Sequence, residues 1–525
     1  MASDIPTEAA GPASEVELKF AIAPQELRRL GRHPLLAGPP LTRRAIASTY
    51  FDTPDLALRR KSLALRVRKE GRRYVQTLKT AGKSTVANVT RSEWQSPVAT
   101  ALPDLSLPEM QDRLADLDGA TLKPVFTSRI RRSSRIIMPD AATKIEVSYD
   151  HGTIETSDGT KLPVCELELE LKEGPSQALF DVARALNRAA SLRLETRSKA
   201  ERGYGLLDGR NGDASWTTAT RGRVELSRDM AVEDALAAIV RHCLQHMLAN
   251  DDAALNNAAE GVHQMRVALR RLRATFSLFK GMIPEAQQRW ATGEMRRIAS
   301  ALGEARNWDV LAEHLAPIEA EFPDDRGVAA LSRKVTAKRR AAYELMRETV
   351  ASSGYTEFAL RMMTWIETRG WRDQAISEAS APLLAPLGDM ADHLLERRHR
   401  KARKLAKRFD DLDADGRHQL RIALKKLRYA ADSLQRVYDP KPVRRHLRRL
   451  SALQDDLGLL NDIATMDRLI HELDETSDAA EGWRRGAAVL QGWYGHVLAQ
   501  STPYLGKRIA RFLKARPFWR RPGDA

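Results

Sequence analysis

The sequence predicts an α+β protein of two parts, with a β-rich region first and an all-α region after it. Over residues 15–173 apolar residues alternate with polar ones, which is the period-2 pattern of half-buried strands. Over residues 224–515 apolar residues recur at the helical period instead. Residues 207–223 are rich in Gly, Ser, Thr and Asp and have the composition of a linker. The predicted domains are therefore 14–206 and 224–515.

Size and composition agree with two separate cores. The chain has 525 residues, several times the ~100–150 residues of a common domain. Hydrophobic residues make up 43% and charged residues 29%, which argues against a disordered or membrane-embedded chain. No uninterrupted apolar run approaches the ~20 residues of a membrane span. Residues 1–14 are acidic and rich in Pro and Ala rather than basic and then apolar, so we expect a cytoplasmic protein. Cys165 and Cys243 are too few and too far apart for a disulfide framework or a cysteine metal site.

The net charge of +16 and the pI near 9.8 point to a polyanionic partner. Nucleic acid, polyphosphate, a phosphorylated small molecule and an anionic membrane all fit that charge. Only the positions of the charged residues can distinguish among these partners.

Three single helices are predicted inside the β-rich region, at Pro24–Gly31, Leu107–Leu117 and Ser176–Ser191. The last is an amphipathic run that follows Pro175. Because they stand alone between strands, we expect them to pack on the outside of a sheet.

Acidic and basic residues share one face of several predicted strands. Alternation places Glu15, Glu17 and Lys19 on one face of the first strand. The same alternation groups other pairs and triplets, namely Arg66 with Arg68, Gln76 or Thr77 with Lys79, Arg91 with Glu93, and Glu166 with Glu168 and Glu170. A solvated outer face with cross-strand salt bridges is the simple alternative. Three carboxylates at alternate positions would repel each other there, whereas a divalent cation would neutralise them.

The ligand types at this face suit Mg²⁺ or Mn²⁺, because they are hard oxygen donors without a His or Cys partner. Arginine and lysine side chains on the same face would bind a multiply charged phosphate chain. No Walker-type G-x-x-x-x-G-K-[ST] motif occurs, so P-loop chemistry is unsupported.

A series of motifs occurs in fixed order over residues 14–206. The series is E-x-E-x-K at Glu15, Glu17 and Lys19, followed by LALRVRKEG, QTLK, IEVSYDHG, CELELEL and SKAERGY. In this order the motifs resemble the CYTH superfamily of triphosphate tunnel metalloenzymes. The resemblance implies a closed, eight-stranded antiparallel β tunnel that cleaves triphosphate. Within that superfamily, the sequence most resembles the bacterial inorganic triphosphatase branch.

Carried over position by position, the resemblance implies three sets of site residues. The catalytic set is Glu15, Glu17 and Lys19; the metal ligands are Glu15, Glu17, Glu146, Glu166 and Glu168; the substrate ligands are Lys19, Arg66, Arg68, Lys79, Arg132 and Lys199. Secondary candidates are Glu170, Arg91, Glu93 and Asp150. The implied mechanism is in-line attack of metal-activated water on a terminal phosphorus.

The all-α region repeats itself at a constant offset. VHQMRVALRRLRATF, from Val262, matches RHQLRIALKKLRYAA, from Arg417, so that His263 pairs with His418 at 418 − 263 = 155. LGEARN, from Leu302, matches LGLLND, from Leu457, again at 457 − 302 = 155. Two motifs with one offset indicate a duplicated helical unit.

Each copy carries a basic stripe on one helix face. The stripe residues are His263, Arg266, Arg270 and Arg273, and in the second copy His418, Arg421, Lys425 and Arg428. A solvated face is the ordinary explanation of such a stripe. The two copies also resemble the CHAD domain over residues 224–515, which implies two related helical bundles with a groove that binds inorganic polyphosphate through these eight residues. The two histidines fit either anion donors or buried scaffolding.

The predicted function is metal-dependent hydrolysis of inorganic triphosphate to phosphate and pyrophosphate, with polyphosphate binding by the helical domain and association with polyphosphate granules as a further option. The alternatives are a non-catalytic polyphosphate-binding scaffold and a tunnel enzyme for thiamine triphosphate, nucleoside triphosphates, an RNA 5′ end or ATP cyclisation. Nucleic-acid binding is disfavoured because aromatic residues are only 6% of the chain and no nucleic-acid motif occurs. No membrane association is expected.

Overall fold

A computed structural model provides the structure of the chain. It describes residues 14–80, 83–84, 88–90, 93–114, 122–208, 218–220, 222–475 and 482–520. Most of the predicted linker 207–223 lies outside the described residues. Contacts divide the chain into two compact units. The first comprises residues 1–217 and 351–368 and is called the tunnel unit; the second comprises residues 218–350 and 369–525 and is called the helical unit.

The tunnel unit is built on one antiparallel sheet of eleven described strands. Eight of them have six residues or more, which agrees with the predicted eight-stranded fold. The strands are β1 Ser14–Ala21, β2 Thr42–Asp52, β3 Leu63–Glu70, β4 Arg73–Thr80, β5 Lys83–Ser84, β6 Asn88–Thr90, β7 Glu93–Val98, β8 Lys123–Ile137, β9 Lys144–Thr156, β10 Lys161–Glu173 and β11 Arg193–Leu194.

The two ends of the sheet are joined by consecutive pieces of chain. The strand order is β5-β6-β1-β10-β9-β8-β2-β3-β4-β7, with β11 paired to β1. β6 pairs with β1 at one end, and β7, which starts three residues after β6 ends, pairs with β4 at the other. β6 and β7 follow each other along the chain and pair with strands toward opposite ends of the strand order, as a closed tunnel requires. The α+β fold class predicted from the sequence is confirmed.

An apolar cluster fills part of the interior face of the sheet. Tyr50, Phe126 and Ile130 project from β2 and β8 and pack with Tyr204 of helix α5, Lys199–Asp208. The Tyr50 and Phe126 rings stack with centroids 4.6 Å apart, and the Tyr204 ring meets the Phe126 edge at 5.2 Å. Gly203 lets α5 approach this closely, because a Cβ there would lie 2.2 Å from the Phe126 ring. The interior is thus apolar where α5 enters and charged farther along the strands.

Within the described residues, the three predicted single helices are present and each follows a strand of the sheet along the chain. The helices numbered before the helical unit are α1 Pro24–Leu30, α2 Ala57–Arg60, α3 Pro108–Leu114, α4 Ser176–Ala189 and α5. The amphipathic α4 packs on β10 and on α11, Ser353–Glu367. α11 was not anticipated here, because its sequence position lies inside the predicted domain 224–515.

The further helix of the tunnel unit is α11, which begins 164 residues after α4 ends (353 − 189 = 164). Arg184 of α4 donates from Nε and Nη2 to Glu357 Oε1 at 2.9 and 2.6 Å. The Asn187 side-chain amide donates to the Ser353 carbonyl at 2.8 Å, and the Thr356 hydroxyl donates to the Leu192 carbonyl at 2.6 Å. Since Leu192 directly precedes β11, which pairs with β1, α11 supports the strand that carries Glu17 and Lys19.

The helical unit contains two series of helices with matching starts. The first series is α6 Val232–Leu248, α7 Asp251–Leu255, α8 Ala259–Leu278, α9 Glu285–Glu321 and α10 Arg326–Ala351; the second is α12 Leu387–Ala406, α13 Ala414–Ser433, α14 Pro440–Glu475 and α15 Trp483–Lys514. α6 and α12, α8 and α13, and α9 and α14 each begin 155 residues apart (387 − 232, 414 − 259 and 440 − 285). The helix boundaries thus follow the sequence repeat.

The repeat helices α8 and α13 pack against each other. A buried ion pair links them, with Arg271 Nη2 3.5 Å from Asp432 Oδ2. Among the helices that the structure describes, none combines the length and the apolar character needed to cross a membrane.

We predict that residues 1–217 alone form a less stable unit than the same residues joined to 351–368 through a Gly/Ser linker. Without α11 the outer side of α4 would face water, and the Leu192 carbonyl would lose its buried donor. The melting temperature, followed by circular dichroism, should be lower by at least ~4 °C without α11. Equal melting temperatures and equal binding of a hydrophobic dye would contradict this role of α11.

Candidate active site and cation cluster

Strand register brings the predicted site residues of four strands to one face. Residues directly opposite each other on antiparallel strands share a face of the sheet. The opposed pairs are Glu17 with Glu170, Lys19 with Glu168, Glu166 with Asp150, Glu170 with Glu146, and Arg132 with Asp150. This is the face that carries the apolar cluster of Tyr50 and Phe126, so the charged residues line the interior.

Three buried carboxylates converge at the centre of this face. Asp150, Glu166 and Glu168 are 1%, 2% and 8% exposed, and one oxygen from each lies within 4.8 Å of the others. Asp150 comes from β9 and the two glutamates come from alternate positions of β10. Sequence reasoning ranked Asp150 as secondary, whereas the structure places it in the middle of the acidic cluster.

Lys199 and Arg132 neutralise much of this negative charge. The Lys199 ammonium, at the start of α5, lies 2.8 Å from Asp150 Oδ2, 2.6 Å from Glu166 Oε2 and 2.9 Å from Glu168 Oε1. Arg132 donates from Nε and Nη2 to the two oxygens of Asp150, both at 2.7 Å, and from Nη2 to Glu168. The two predicted phosphate ligands therefore stand directly beside the predicted metal ligands.

The pKa values follow from this arrangement. Burial alone would lower the pKa of Lys199, but the carboxylates around it, Glu168 foremost, raise it above its ordinary value. Burial alone would raise the pKa of Glu168, but the nearby positive charges, Lys199 foremost, bring it below its ordinary value. Both shifts keep the groups ionised at neutral pH.

Arg202 is a member of the site that sequence reasoning missed. It is buried on α5, where Nη1 donates to Glu166 and Nη2 donates to the Pro163 carbonyl at 3.2 Å. Its Nε also lies 3.9 Å from Glu195 Oε2. The signal was present in the SKAERGY motif, because Arg202 follows Lys199 by three residues and so shares its helix face. With Arg202, three cations balance the three buried carboxylates.

The opposite part of the interior is positively charged. Arg66 and Lys79 share Glu93 as their acidic partner, with Arg66 Nη2 3.7 Å from Glu93 Oε1 and Lys79 in direct contact with Oε2. Burial, and then the charge of Arg66, lowers the pKa of Lys79. The Arg66 Nε is buried without a hydrogen-bond partner. Two cations against one acid and an unused buried donor are suited to an anionic ligand.

The remaining predicted residues of the tunnel lie near this interior. Lys19 bonds to Glu17 at 2.5 Å, Arg68 Nε donates to the Ser48 hydroxyl at 3.4 Å, and Glu146 lies 3.4 Å from Lys172. The Glu15 backbone pairs with Val89, but its side chain lies outside the described residues, as does that of Arg91. Of the predicted metal ligands, Glu166 and Glu168 meet in the acidic cluster.

The acidic cluster has the donor chemistry of a site for a hard divalent cation. Asp150, Glu166 and Glu168 offer only oxygen atoms, close enough together for each to give one ligand. Burial limits competition from water. The described residues therefore fit a hard divalent cation better than a softer metal.

In the helical unit, cations from three helices form a second charged centre, called the first cluster. Its members are Arg266 and Arg270 of α8, Arg306 of α9, and Arg421 and Lys425 of α13. Burial, then the charges of Arg270 and Arg306, lowers the pKa of Arg266 to about 10. Burial, then the charges of Arg421 and Arg270, lowers the pKa of Lys425 to about 7. These shifts place residues of both repeats within electrostatic reach of each other.

The first cluster also holds unused hydrogen-bond donors. The Nε atoms of Arg266 and Arg421 are buried without a partner. Gly303 gives Arg266 its space, because a Cβ at that position would lie 2.7 Å from Arg266 Nη1. Arg270 Nε donates to the Tyr429 hydroxyl at 3.0 Å, and Arg421 Nη1 donates to Asn461 at 2.8 Å.

The LGEARN and LGLLND motifs explain why both repeats contribute. Arg306 and Asn461 occupy equivalent positions, since 461 − 306 = 155. Arg306 stands near Arg266, and Asn461 bonds to Arg421, the repeat equivalent of Arg266. Sequence reasoning used these motifs to detect the repeat and missed that they supply residues of the cluster.

The structure separates the eight residues of the predicted stripes. Arg266, Arg270, Arg421 and Lys425 come together, and burial followed by the charge of Arg306 lowers the pKa of His263 beside them. His418 and Arg273 are exposed, and Arg428 Nη1 donates to Gln454 at 3.0 Å. The residues of the predicted stripes therefore lie partly in the first cluster and partly outside it.

Fold and site define a protein with an antiparallel β tunnel lined by acids and cations, joined to a duplicated helical unit with a cation cluster. The chain carries a CYTH domain, whose family model matches residues 13–204, and after it a CHAD domain, whose model matches residues 238–471. Both resemblances noted in the sequence are confirmed in this order along the chain.

Similar proteins cover both parts. An inorganic triphosphatase of Haemophilus influenzae is 31% identical over 228 residues, which are 42% of this chain and 63% of that protein, so less than two thirds of that relative is spanned. An uncharacterized protein of Mycobacterium tuberculosis is 25% identical over 409 residues, 73% of this chain and 75% of that protein. The crystal structure of the CHAD domain from the plant Ricinus communis is 27% identical, with 57% of this chain and 98% of that chain covered and a TM-score of 0.48.

We predict that Arg202→Met destabilises the tunnel unit by ~3–5 kcal/mol, because Glu166 would lose its buried guanidinium partner. Chemical denaturation of the full chain measures the loss. Arg129→Met is the matched control: Arg129 is exposed on β8, and its replacement should change the free energy of unfolding by no more than ~0.5 kcal/mol. Equal effects of the two substitutions would show that the Arg202 ion pairs do not stabilise the fold.

Proposed function

We propose that the tunnel unit hydrolyses inorganic triphosphate to phosphate and pyrophosphate with Mg²⁺ or Mn²⁺. The observation that carries this proposal is the convergence of three buried carboxylates and several cations on one interior face. The CYTH match supports triphosphate as the substrate class, and the likeness to an inorganic triphosphatase supports inorganic triphosphate within it.

The metal ligands proposed from the sequence are Glu15, Glu17, Glu146, Glu166 and Glu168, and the geometry of the acidic cluster adds Asp150. A bound divalent cation supplies two things to this chemistry, a lowered pKa of water and neutralisation of phosphate charge. Lys199 and Arg132 lie beside the acidic cluster and supply positive charge to it.

The arginine and lysine side chains of the tunnel interior hold and orient the triphosphate. Arg66, Arg68 and Lys79 form the basic part of the interior and suit the phosphates away from the acidic cluster. Lys19, Arg132 and Lys199 stand at the acidic cluster, where charge on the transferred phosphoryl group and on the leaving oxygen would be stabilised. No residue needs to form a covalent bond to phosphorus.

Phosphate release from a panel of triphosphates tests the proposal directly. The panel contains inorganic triphosphate, thiamine triphosphate and the nucleoside triphosphates, each with Mg²⁺ and with Mn²⁺. We expect the highest kcat/KM for inorganic triphosphate and no turnover with a chelator. A higher kcat/KM for an organic triphosphate would identify that compound as the substrate instead. No phosphate release from any member of the panel would favour the non-catalytic scaffold.

We predict that Glu168→Gln lowers turnover of inorganic triphosphate by at least ~10²-fold, since one carboxylate of the acidic cluster is lost. Glu155→Gln on β9 is the matched control. Glu155 is five residues from Asp150, an odd number, so its side chain lies on the opposite face of the strand. Circular dichroism of both variants should match that of the unchanged chain. Full activity of Glu168→Gln would remove the acidic cluster from the mechanism.

We also infer that the helical unit binds linear inorganic polyphosphate at the first cluster. Burial, and then repulsion among the cations, lowers the pKa values of Arg266 and Lys425. Arg306 also pairs with Glu313, with Nη1 2.6 Å from Oε1. A polyanion would relieve the remaining repulsion. The unused Nε donors of Arg266 and Arg421 offer hydrogen bonds to phosphate oxygens. The CHAD match supports the same ligand.

The lowered pKa of Lys425 predicts that polyphosphate binding depends on pH. Its pKa is lowered to about 7 by burial and by the charges of Arg421 and Arg270, so the ammonium loses its charge as pH rises through 7. Affinity for long-chain polyphosphate should therefore fall between pH 6 and pH 8, by up to ~10-fold. Lys425→Arg should flatten this profile, because arginine stays charged. Isothermal titration at constant ionic strength measures it, and identical profiles would contradict the role of Lys425.

A further inference from the structure

A separate group of cations lies in the helical unit outside the first cluster. It consists of Arg273 of α8, Arg398 and Lys401 of α12, and Lys426 of α13, and is called the second cluster. Only Arg273 belongs to the stripes predicted from the sequence.

Hydrogen bonds fix Arg398 beside α8. Its Nη2 donates to the carbonyl of Ser277 and, at 3.0 Å, to the Ser277 hydroxyl, while Arg397 donates to the Leu278 carbonyl. These contacts satisfy carbonyl groups at the C-terminal end of α8. Because Ser277 follows Arg273 by one helical turn, Arg398 stands next to Arg273. Lys401 follows Arg398 by three residues and shares its helix face.

Lys426 approaches the same group from α13. Burial lowers its pKa, and the charges of Arg398, Lys401 and Arg273 lower it further. Within the described part of the chain, no carboxylate forms an ion pair with any of the four cations, and none of them has a further partner. Four cations from three helices therefore stand together without a neutralising acid.

The two clusters have different members and are connected along α8. The cations that act on Lys425 are Arg421, Arg270 and Arg266, with Asp462 acting in the opposite sense. None of these residues acts on Lys426. Arg266 and Arg273 are seven residues apart on α8, which corresponds to ~10 Å along the helix axis. A flexible polyanion of sufficient length can therefore contact both clusters, whereas a short one can occupy only one.

We propose that the second cluster is an additional phosphate site, which binds the part of a linear polyphosphate chain that extends beyond the first cluster. This inference rests on the proposed polyphosphate binding and assigns Arg398, Lys401 and Lys426 to it. Guanidinium and ammonium groups without acidic partners are the groups that bind successive phosphates. The second cluster thus makes the helical unit selective for long chains.

The test compares full-length variants with a matched loss of charge. In one, Arg273, Lys401 and Lys426 are all changed to Gln; Arg398 is kept because it caps α8. The control carries Arg296→Gln, Arg333→Gln and Arg340→Gln, three exposed positions on α9 and α10. The probes are long-chain polyphosphate and inorganic triphosphate, with single-stranded RNA as a comparison ligand, all titrated without metal at several salt concentrations. The tunnel is the same in all proteins, so differences belong to the helical unit.

The second-cluster variant should lose at least ~10-fold in affinity for long-chain polyphosphate, and its slope of log affinity against log salt should fall by ~2, as expected for three lost phosphate contacts. The affinity of this variant for triphosphate should stay within about twofold of that of the unchanged chain. The affinities of the control for both probes should stay within the same range. Equal losses in variant and control would overturn the inference, because a diffuse field would then account for the effect. A loss confined to single-stranded RNA would overturn it in favour of nucleic acid.

A third variant separates this inference from the proposed function. Arg421→Gln with Lys425→Gln removes two members of the first cluster. If that variant and the unchanged chain bind polyphosphate equally, the proposed role of the first cluster fails. If it loses binding while the second-cluster variant does not, the proposed role stands and the second cluster is only a helix cap with solvated neighbours.

Discussion

The ion pairs between α5 and the carboxylates of β9 and β10 are the interaction on which the tunnel site depends. Three carboxylates packed within one buried cluster would repel each other and become protonated without nearby positive charge. Lys199 and Arg202 supply that charge from one face of α5, and Tyr204 anchors the helix in the apolar cluster. The position of α5 thus couples the packing of the interior to its chemistry, because one helix provides both the apolar contact and the counter-ions.

The helical unit handles charge in the opposite way. Its first and second clusters each hold more cations than neighbouring acids. Burial, and then the charges of the neighbouring cations, lowers the pKa values of Arg266, Lys425 and Lys426. Free energy spent on keeping like charges together is recovered when a polyanion binds, which is why such clusters indicate a ligand more strongly than a balanced set of ion pairs does. The contrast explains how one basic chain can hold a balanced acidic cluster in one unit and unbalanced cations in the other.

Helix α11 shows that sequence order and folding units differ in this protein. It stands between the two helix series of the repeat, yet it packs on α4 and bonds to the carbonyl that precedes β11. The composition change at 207–223 marks where the strand pattern ends, and it gave no sign that a later helix would complete the first unit. Amphipathic periodicity reports that a helix has an apolar face and does not report which surface that face will cover.

The sequence by itself determined the α+β architecture, the helical repeat and the residue types of both sites. Strand alternation placed Glu17 and Lys19 on one face of their strand and Glu166 and Glu168 on one face of theirs, because it depends only on local periodicity. A constant offset aligned Arg266 with Arg421. The tertiary structure decided which of the candidates meet. Asp150 and Arg202 entered the tunnel site, and Arg273 left the first cluster for the second, because strand register and helix packing bring together residues that are far apart along the chain.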